Sequence, residues 1–183
     1  MQPDDATLLK AIQNLDEDAL VVVFDSYAPI LYKYAMRLCG NSDEADDIVG
    51  HVFSELLRHL KKGTGPRDNL RAYLFQIAYH KIIDQAHDRQ RTTPLDTISS
   101  LSSGESIQTH HEDKEQTRTL DAVIQKQLTE DQRHVILLRF IEGFSLKETA
   151  KIIGKRVNNI KIIQSRAIAK LRHVLIGDMK DAM

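Results

Sequence analysis

The 183-residue chain has no tryptophan, a single cysteine, four prolines and eight glycines. One thiol, Cys39, excludes an internal disulfide and fits a reducing compartment. It lies on an otherwise apolar helical stretch, which favours a buried, inert thiol over a redox switch. So little glycine and proline, beside so much Leu, Ile, Ala, Lys and Glu, points to an all-α protein. No apolar run is long enough to span a bilayer, and the N-terminus has no signal-peptide pattern. The expectation is a cytoplasmic protein without membrane insertion. Catalytic signatures are missing as well. The stretch Gly63–Pro66 lacks the Lys-Ser/Thr and the preceding strand of a phosphate loop, and no nucleophile elbow or catalytic cysteine context occurs. His110 and His111 stand beside Glu112 and Asp113, but no second ligand cluster follows at zinc spacing. No metal, no other cofactor and no enzymatic activity are expected.

An excess of one charge is also lacking, since 25 basic residues face 26 acidic ones. The distribution is uneven. Residues 1–50 carry 3 Lys/Arg against 10 Asp/Glu, and residues 51–91 carry 8 against 4. Residues 92–127 carry 3 against 6, and residues 128–176 carry 10 against 4. Two basic blocks separated by an acidic one suggest two nucleic-acid surfaces, because phosphate neutralisation dominates such binding. The acidic front suits a basic protein partner or simply solvated helix faces.

Hydrophobic spacing predicts helices over Asp4–Asn14, Glu17–Leu38, Ser42–Leu60 and Leu70–Arg91. Pro29 should bend or break the second. Ser42 opens the third as an N-cap with an acidic first turn behind it. Lys61–Asn69 (KKGTGPRDN) is a loop. Residues 92–113, rich in Ser and Thr and without a period, read as a flexible linker, and 114–127 as a helix. The organisation is therefore two small helical domains, 1–91 and 114–183, joined by that linker.

In the second domain, Thr129–Gln132 and Ser145–Glu148 are capping boxes. The first opens a helix with Val135, Ile136, Leu138 and Ile141 apolar, stopped by Gly143. The second opens a short helix stopped by Gly154. A longer basic helix follows with Val157, Ile160, Ile163, Ala167 and Leu171 on one face. A short helix, a tight turn and a longer basic helix form the helix-turn-helix order, whose second helix enters a DNA major groove. Asn158, Asn159, Lys161, Ile162, Ser165 and Arg166 then point outward toward bases, with Lys155, Arg156 and Lys170 suited to phosphates.

Two segments of the first domain, Glu44–Leu57 (EADDIVGHVFSELL) and Leu70–Arg91 (LRAYLFQIAYHKIIDQAHDRQR), resemble region 2 of bacterial RNA polymerase sigma factors. The stretch from Leu128 to Gly154 resembles region 4 of the same proteins. The presence of these two regions alone is similar to the extracytoplasmic-function (ECF) group of the sigma-70 family. The resemblance implies an alternative sigma factor that binds core RNA polymerase, recognises a promoter and opens it, under the control of an anti-sigma factor. It implies polymerase contacts at Asp46, Asp47, His51 and Glu55, with Gly50 standing where the family motif has Gln. It also implies that the loop and the following helix hold the melted strand. Lys61, Lys62, Arg67 and Arg71 supply charge, Asn69 an amide, and Tyr79 and His80 rings, with Lys81, Arg89 and Arg91 at phosphates. Phe75 is a further ring, whereas Tyr73, where the family has Trp, fits the apolar face. Two other classes compete: a helix-turn-helix activator that binds closed duplex without polymerase, and a helical adaptor that binds proteins only. The basic recognition helix argues against the adaptor, and the region 2-like block against the activator.

Overall fold

The computed structural model describes residues 5–92 and 121–181, with the side chains of 7–89 and 121–174. Every regular element among them is a helix. Contacts divide the chain into two units, Met1–Ser102 and Ser103–Met183. Residues 93–120 lie outside the described residues; they hold most of the expected linker, the His110–His111 pair and the start of the helix expected at 114–127.

The first unit contains α1 (Asp5–Gln13), α2 (Glu17–Cys39), α3 (Ser42–Lys61) and α4 (Leu70–Thr92). The carboxylate of Asp16 accepts the Ala19 N–H at 2.8 Å and starts α2. At the other end the Gly40 N–H donates to the Met36 carbonyl at 2.9 Å. Pro29 neither ends nor divides this helix. Its ring withholds one hydrogen bond from the Asp25 carbonyl, but both residues are exposed, so water can satisfy that group. The N-cap of α3 is Asn41 rather than Ser42. Asn41 has the extended backbone a cap needs, and its side chain accepts the Glu44 N–H at 3.0 Å.

Helices α2, α3 and α4 pack on one another, with α1 against α2. Val23, Leu31, Tyr34, Ile48, Val52, Leu74 and Phe75 are fully buried between them. The Tyr34 and Phe75 rings meet at 5.1 Å, tilted by 58°. Burying each such side chain stabilises the fold by about 1.5–3 kcal/mol. Phe24 and Leu57, although apolar, are 48% and 39% exposed. The apolar stripes of α2 and α3 are wider than the contact between them, and Phe24 rests on Phe53 at the surface, 4.7 Å between centroids. All five tyrosines (Tyr27, Tyr32, Tyr34, Tyr73 and Tyr79) belong to this unit. Cys39 donates to the Ala35 carbonyl at 2.8 Å, and burial pushes its thiol pKa up, as suits an inert thiol.

The second unit contains α5 (121–127), α6 (Glu130–Ile136), a π-helical turn (Leu137–Ile141), α7 (Leu146–Ile153) and α8 (Val157–Asp181). The Thr129 N–H donates to Gln132 at 3.1 Å. Ser145 accepts the Glu148 N–H at 3.2 Å while Glu148 accepts the Ser145 N–H at 2.8 Å. Both helices open where the capping boxes predict. The first does not stay α-helical up to Gly143. Its last turn widens, and the Glu142 N–H reaches the Leu137 carbonyl at 2.9 Å. In that turn the apolar Ile141 is 43% exposed. Gly154 ends α7 at φ 71° and ψ 26°, a left-handed conformation that costs a residue with a Cβ. Both α6 and α7 pack on α8, over His134, Val135, Leu138, Ile152, Ile160 and Ala167. Ile124 of α5 and Leu128 just after it cluster with Ile136 and Ala167.

Candidate nucleic-acid and partner interfaces

Ala45 and Ile48 anchor the start of α3 in the core, which turns Asp46 and Asp47 into solvent on its first two turns. Gly50 is exposed beyond them, and a Cβ built there meets nothing within 4 Å. Further along α3, Phe53 meets the exposed ring of Phe24, and Leu57 is partly exposed. His51 is half-buried. Glu55 is engaged within its own helix. Arg58 binds both of its carboxylate oxygens and holds its pKa below the usual carboxylate range. Arg58 was not among the residues singled out from sequence, although a Glu–Arg pair three apart on a helix is a readable signal.

The loop after α3 exposes Lys61, Lys62 and Arg67. Asn69 has a local structural part: its side-chain oxygen accepts the Ala72 N–H at 2.8 Å and caps α4. Arg71 lies over the Phe75 ring at 5.6 Å, and Phe75 itself is buried in the core. Tyr79 is 7% exposed, so its ring packs inside the helix bundle instead of offering a stacking face. Its neighbour His80 is exposed, edge-on to that ring at 5.4 Å. Lys81 is half-buried. Arg89, expected at a phosphate, pairs with Glu44 at 2.9 Å and ties the end of α4 to the start of α3. The Arg91 side chain lies outside the described ones.

In the second unit Ile160 and Ala167 are fully buried and fix the rotation of α8. That rotation puts Asn158, Asn159, Lys161, Ile162, Ser165 and Arg166 on the exposed side, with Arg156 at the helix entrance. Lys147 and Lys151 add exposed positive charge on α7. Two of the expected phosphate ligands have intramolecular partners. Lys155 pairs with Asp131 at 2.8 Å, and Lys170 donates to the Gln127 carbonyl at 2.9 Å. Sequence reading also passed over Arg139. Its Nε donates to Gln164 at 3.0 Å and its Nη1 to the Phe144 carbonyl, which pins the π-helical turn to α8. Among the described residues no His, Cys, Asp and Glu side chains cluster as metal ligands would, and no helix is long and apolar enough to cross a membrane.

The "Sigma-70 region 2" family matches residues 23–92, and "Sigma-70, region 4" matches residues 126–173. The ECF RNA polymerase sigma factor EcfG of Rhodopseudomonas palustris is 32% identical over 168 residues, covering 90% of this chain and 87% of the relative. SigX of Bacillus subtilis is 30% identical over 167 residues, covering 85% and 83%. BldN of Streptomyces coelicolor is 28% identical over 178 residues; the match takes in 94% of this chain and 66% of BldN. The fold is shared with the sigma factor RpoE solved with the anti-sigma factor NepR from Bartonella quintana, at TM-score 0.69 and 24% identity, covering 89% of this chain and 97% of that one. It is also shared with CnrH in complex with the cytosolic domain of CnrY, at TM-score 0.69 and 22% identity, covering 95% and 98%. With both regions in this order, and relatives at 30% identity or more along most of its length, the chain belongs to the ECF group of sigma-70 family RNA polymerase sigma factors.

Proposed function

We propose that this chain is an alternative sigma factor that binds core RNA polymerase through the acidic face of α3, reads an upstream promoter element as duplex through α8, and opens the downstream element at the loop after α3. One observation carries this reading: a single chain joins an exposed acidic helix start at Asp46 and Asp47 to a helix-turn-helix whose second helix exposes Asn158, Asn159, Lys161 and Arg166. A sigma factor is a specificity subunit, and the catalysis belongs to the polymerase. Working with polymerase implies a cytoplasmic protein. The similar sigma factor RpoE, solved with the anti-sigma factor NepR, supports control by such a partner here too. The Ser- and Thr-rich composition of residues 92–113 supports a linker between domains at 1–91 and 114–183. Runoff transcription with core polymerase, with and without this chain, tests the reading. An activator would bind its duplex unaided and would not confer promoter-specific initiation on core enzyme alone.

Two expected results separate the surfaces. Reversing Asp46 and Asp47 to Lys inverts the charge of the face proposed to meet polymerase, which should weaken co-purification with core polymerase on the order of tenfold or more. Both side chains are exposed, so the far-ultraviolet circular dichroism should not change; undiminished co-purification would count against this face. On duplex promoter DNA, Asn159→Ala should relax preference at one base position by about 1–3 kcal/mol. Arg156→Ala should instead weaken all sequences alike and lower the salt slope by about one. Equal losses on every sequence for both variants would show that α8 does not read bases.

A further inference from the structure

The loop Lys61–Asn69 is held from three sides. At its entrance the His59 carbonyl accepts from both the Thr64 N–H, at 2.9 Å, and the Thr64 hydroxyl, at 3.3 Å. The Gly63 N–H turns back to the Leu60 carbonyl at 2.9 Å. Across the loop the His59 imidazole Nδ1 and the Tyr73 hydroxyl share a hydrogen bond at 2.5 Å, which joins the last turn of α3 to the first turn of α4. In the middle, Gln13 at the end of α1 donates its amide to the Pro66 carbonyl at 2.7 Å, across 53 positions of chain. Pro66 is buried. Gly65 lies so close to Leu60 that a Cβ there would come within 2.7 Å of the leucine Cδ2. Lys61, Lys62, Thr64 and Arg67 remain in solvent on the outer side. A loop fixed in this way presents its outer groups without an ordering cost at the moment of binding.

We propose that Gln13, together with the His59–Tyr73 pair, positions this loop for the unpaired base it receives, so that α1 takes part in downstream promoter selectivity without touching DNA. The inference rests on the assignment of the loop to the melted strand. Both contacts are side-chain hydrogen bonds from outside the loop, and neither is needed to fill the core. Gln13 is exposed except at its amide contact, and Tyr73 keeps its ring packing if only the hydroxyl is removed. The wall that Gln13 supports carries the buried Pro66, so losing the bond lets the 64–67 segment shift while its two ends stay in place.

The test uses the full chain with core polymerase on a promoter library varied one base at a time. Gln13→Ala and Tyr73→Phe should each reduce discrimination at one or two downstream positions by about twofold to tenfold, the scale of one neutral hydrogen bond. Preference at the upstream element should not move, and neither should the melting temperature by more than a few degrees. Gln13→Lys, which keeps a donor, should restore part of the discrimination that Gln13→Ala loses. Thr64→Ala and Arg67→Ala, changed within the loop itself, form the second arm. If they alter downstream discrimination while Gln13→Ala and Tyr73→Phe do not, the positioning role is wrong and the loop assignment stands. If none of the four alters it, the loop assignment fails and the positioning role with it. A loss spread evenly over every promoter position would mark the contacts as structural support only and overturn the proposal.

Discussion

Phe75→Ala is expected to destabilise the first unit by about 3–5 kcal/mol, the usual cost of emptying a buried aromatic site. Phe75 is fully buried against Tyr34, with the rings at 5.1 Å, and Arg71 lies over its ring at 5.6 Å. The buried Tyr34 of α2 meets Phe75 of α4 there, so removing the Phe75 ring leaves a cavity in the core. At roughly 4–8 °C per kcal/mol for a domain of this size, the first unit should melt more than about 10 °C lower. Leu57→Ala, on a residue 39% exposed, should cost less than about 1 kcal/mol. Calorimetry of both variants against the parent chain measures the difference. Equal losses would mean that Phe75 does not occupy the core. Because α8 belongs to the other unit, duplex binding should survive Phe75→Ala while promoter opening is lost.

The second unit should lose stability in mild acid. His134 is fully buried on α6. Desolvation, with the Arg133 charge beside it and Asp131 opposing weakly, pushes its pKa down from 6.5 to about 3. The folded imidazole therefore stays neutral where an unfolded one takes up a proton. Its contribution is fully present above pH 6.5 and is lost as pH falls from there toward 3, at about 1.4 kcal/mol per pH unit. Between pH 6.5 and 5 that amounts to roughly 2 kcal/mol, read as a fall in the melting temperature of this unit. His134→Gln cannot be protonated and should flatten the dependence, even if the variant is less stable throughout. An unchanged slope in that variant would assign the acid sensitivity to other groups. DNA binding through α8 should weaken over the same range, since α6 packs on α8.

Features set by neighbouring residues were legible. The capping boxes at Thr129 and Ser145, and the stop at Gly154, are local chemistry, so these helix ends could be placed within a residue or two. Even there, Asn41 and Ser42 both have suitable side chains, and only the backbone angles choose Asn41. The outward row of α8 was legible because Ile160 and Ala167 fix one face of a helix with a clear period. The rest fails for identifiable reasons. Helix α4 carries apolar residues over more than half its circumference, so periodicity alone cannot say that Phe75 and Tyr79 face inward while His80 faces water. A π-helical turn is one residue of extra chain in an otherwise ordinary apolar pattern, and Leu137–Ile141 carry no mark of it. Contacts such as Gln13 to Pro66, Arg89 to Glu44 and Lys170 to Gln127 join positions 43 to 53 apart. No spacing rule reaches that far, and the last two contacts occupy cations that the sequence leaves open.

The confinement of all five tyrosines to the first unit, in a chain without tryptophan, has a spectroscopic consequence. Tyrosine absorbance and emission come from α2 and α4 alone, while the helix-turn-helix unit contributes only the weak bands of its two phenylalanines, Phe140 and Phe144. Tyrosine signals therefore follow the first unit within the intact chain, with no label and no truncation. A single tryptophan replacing Phe140, which is 54% exposed, would give the second unit its own colour and let both units be watched at once during polymerase binding.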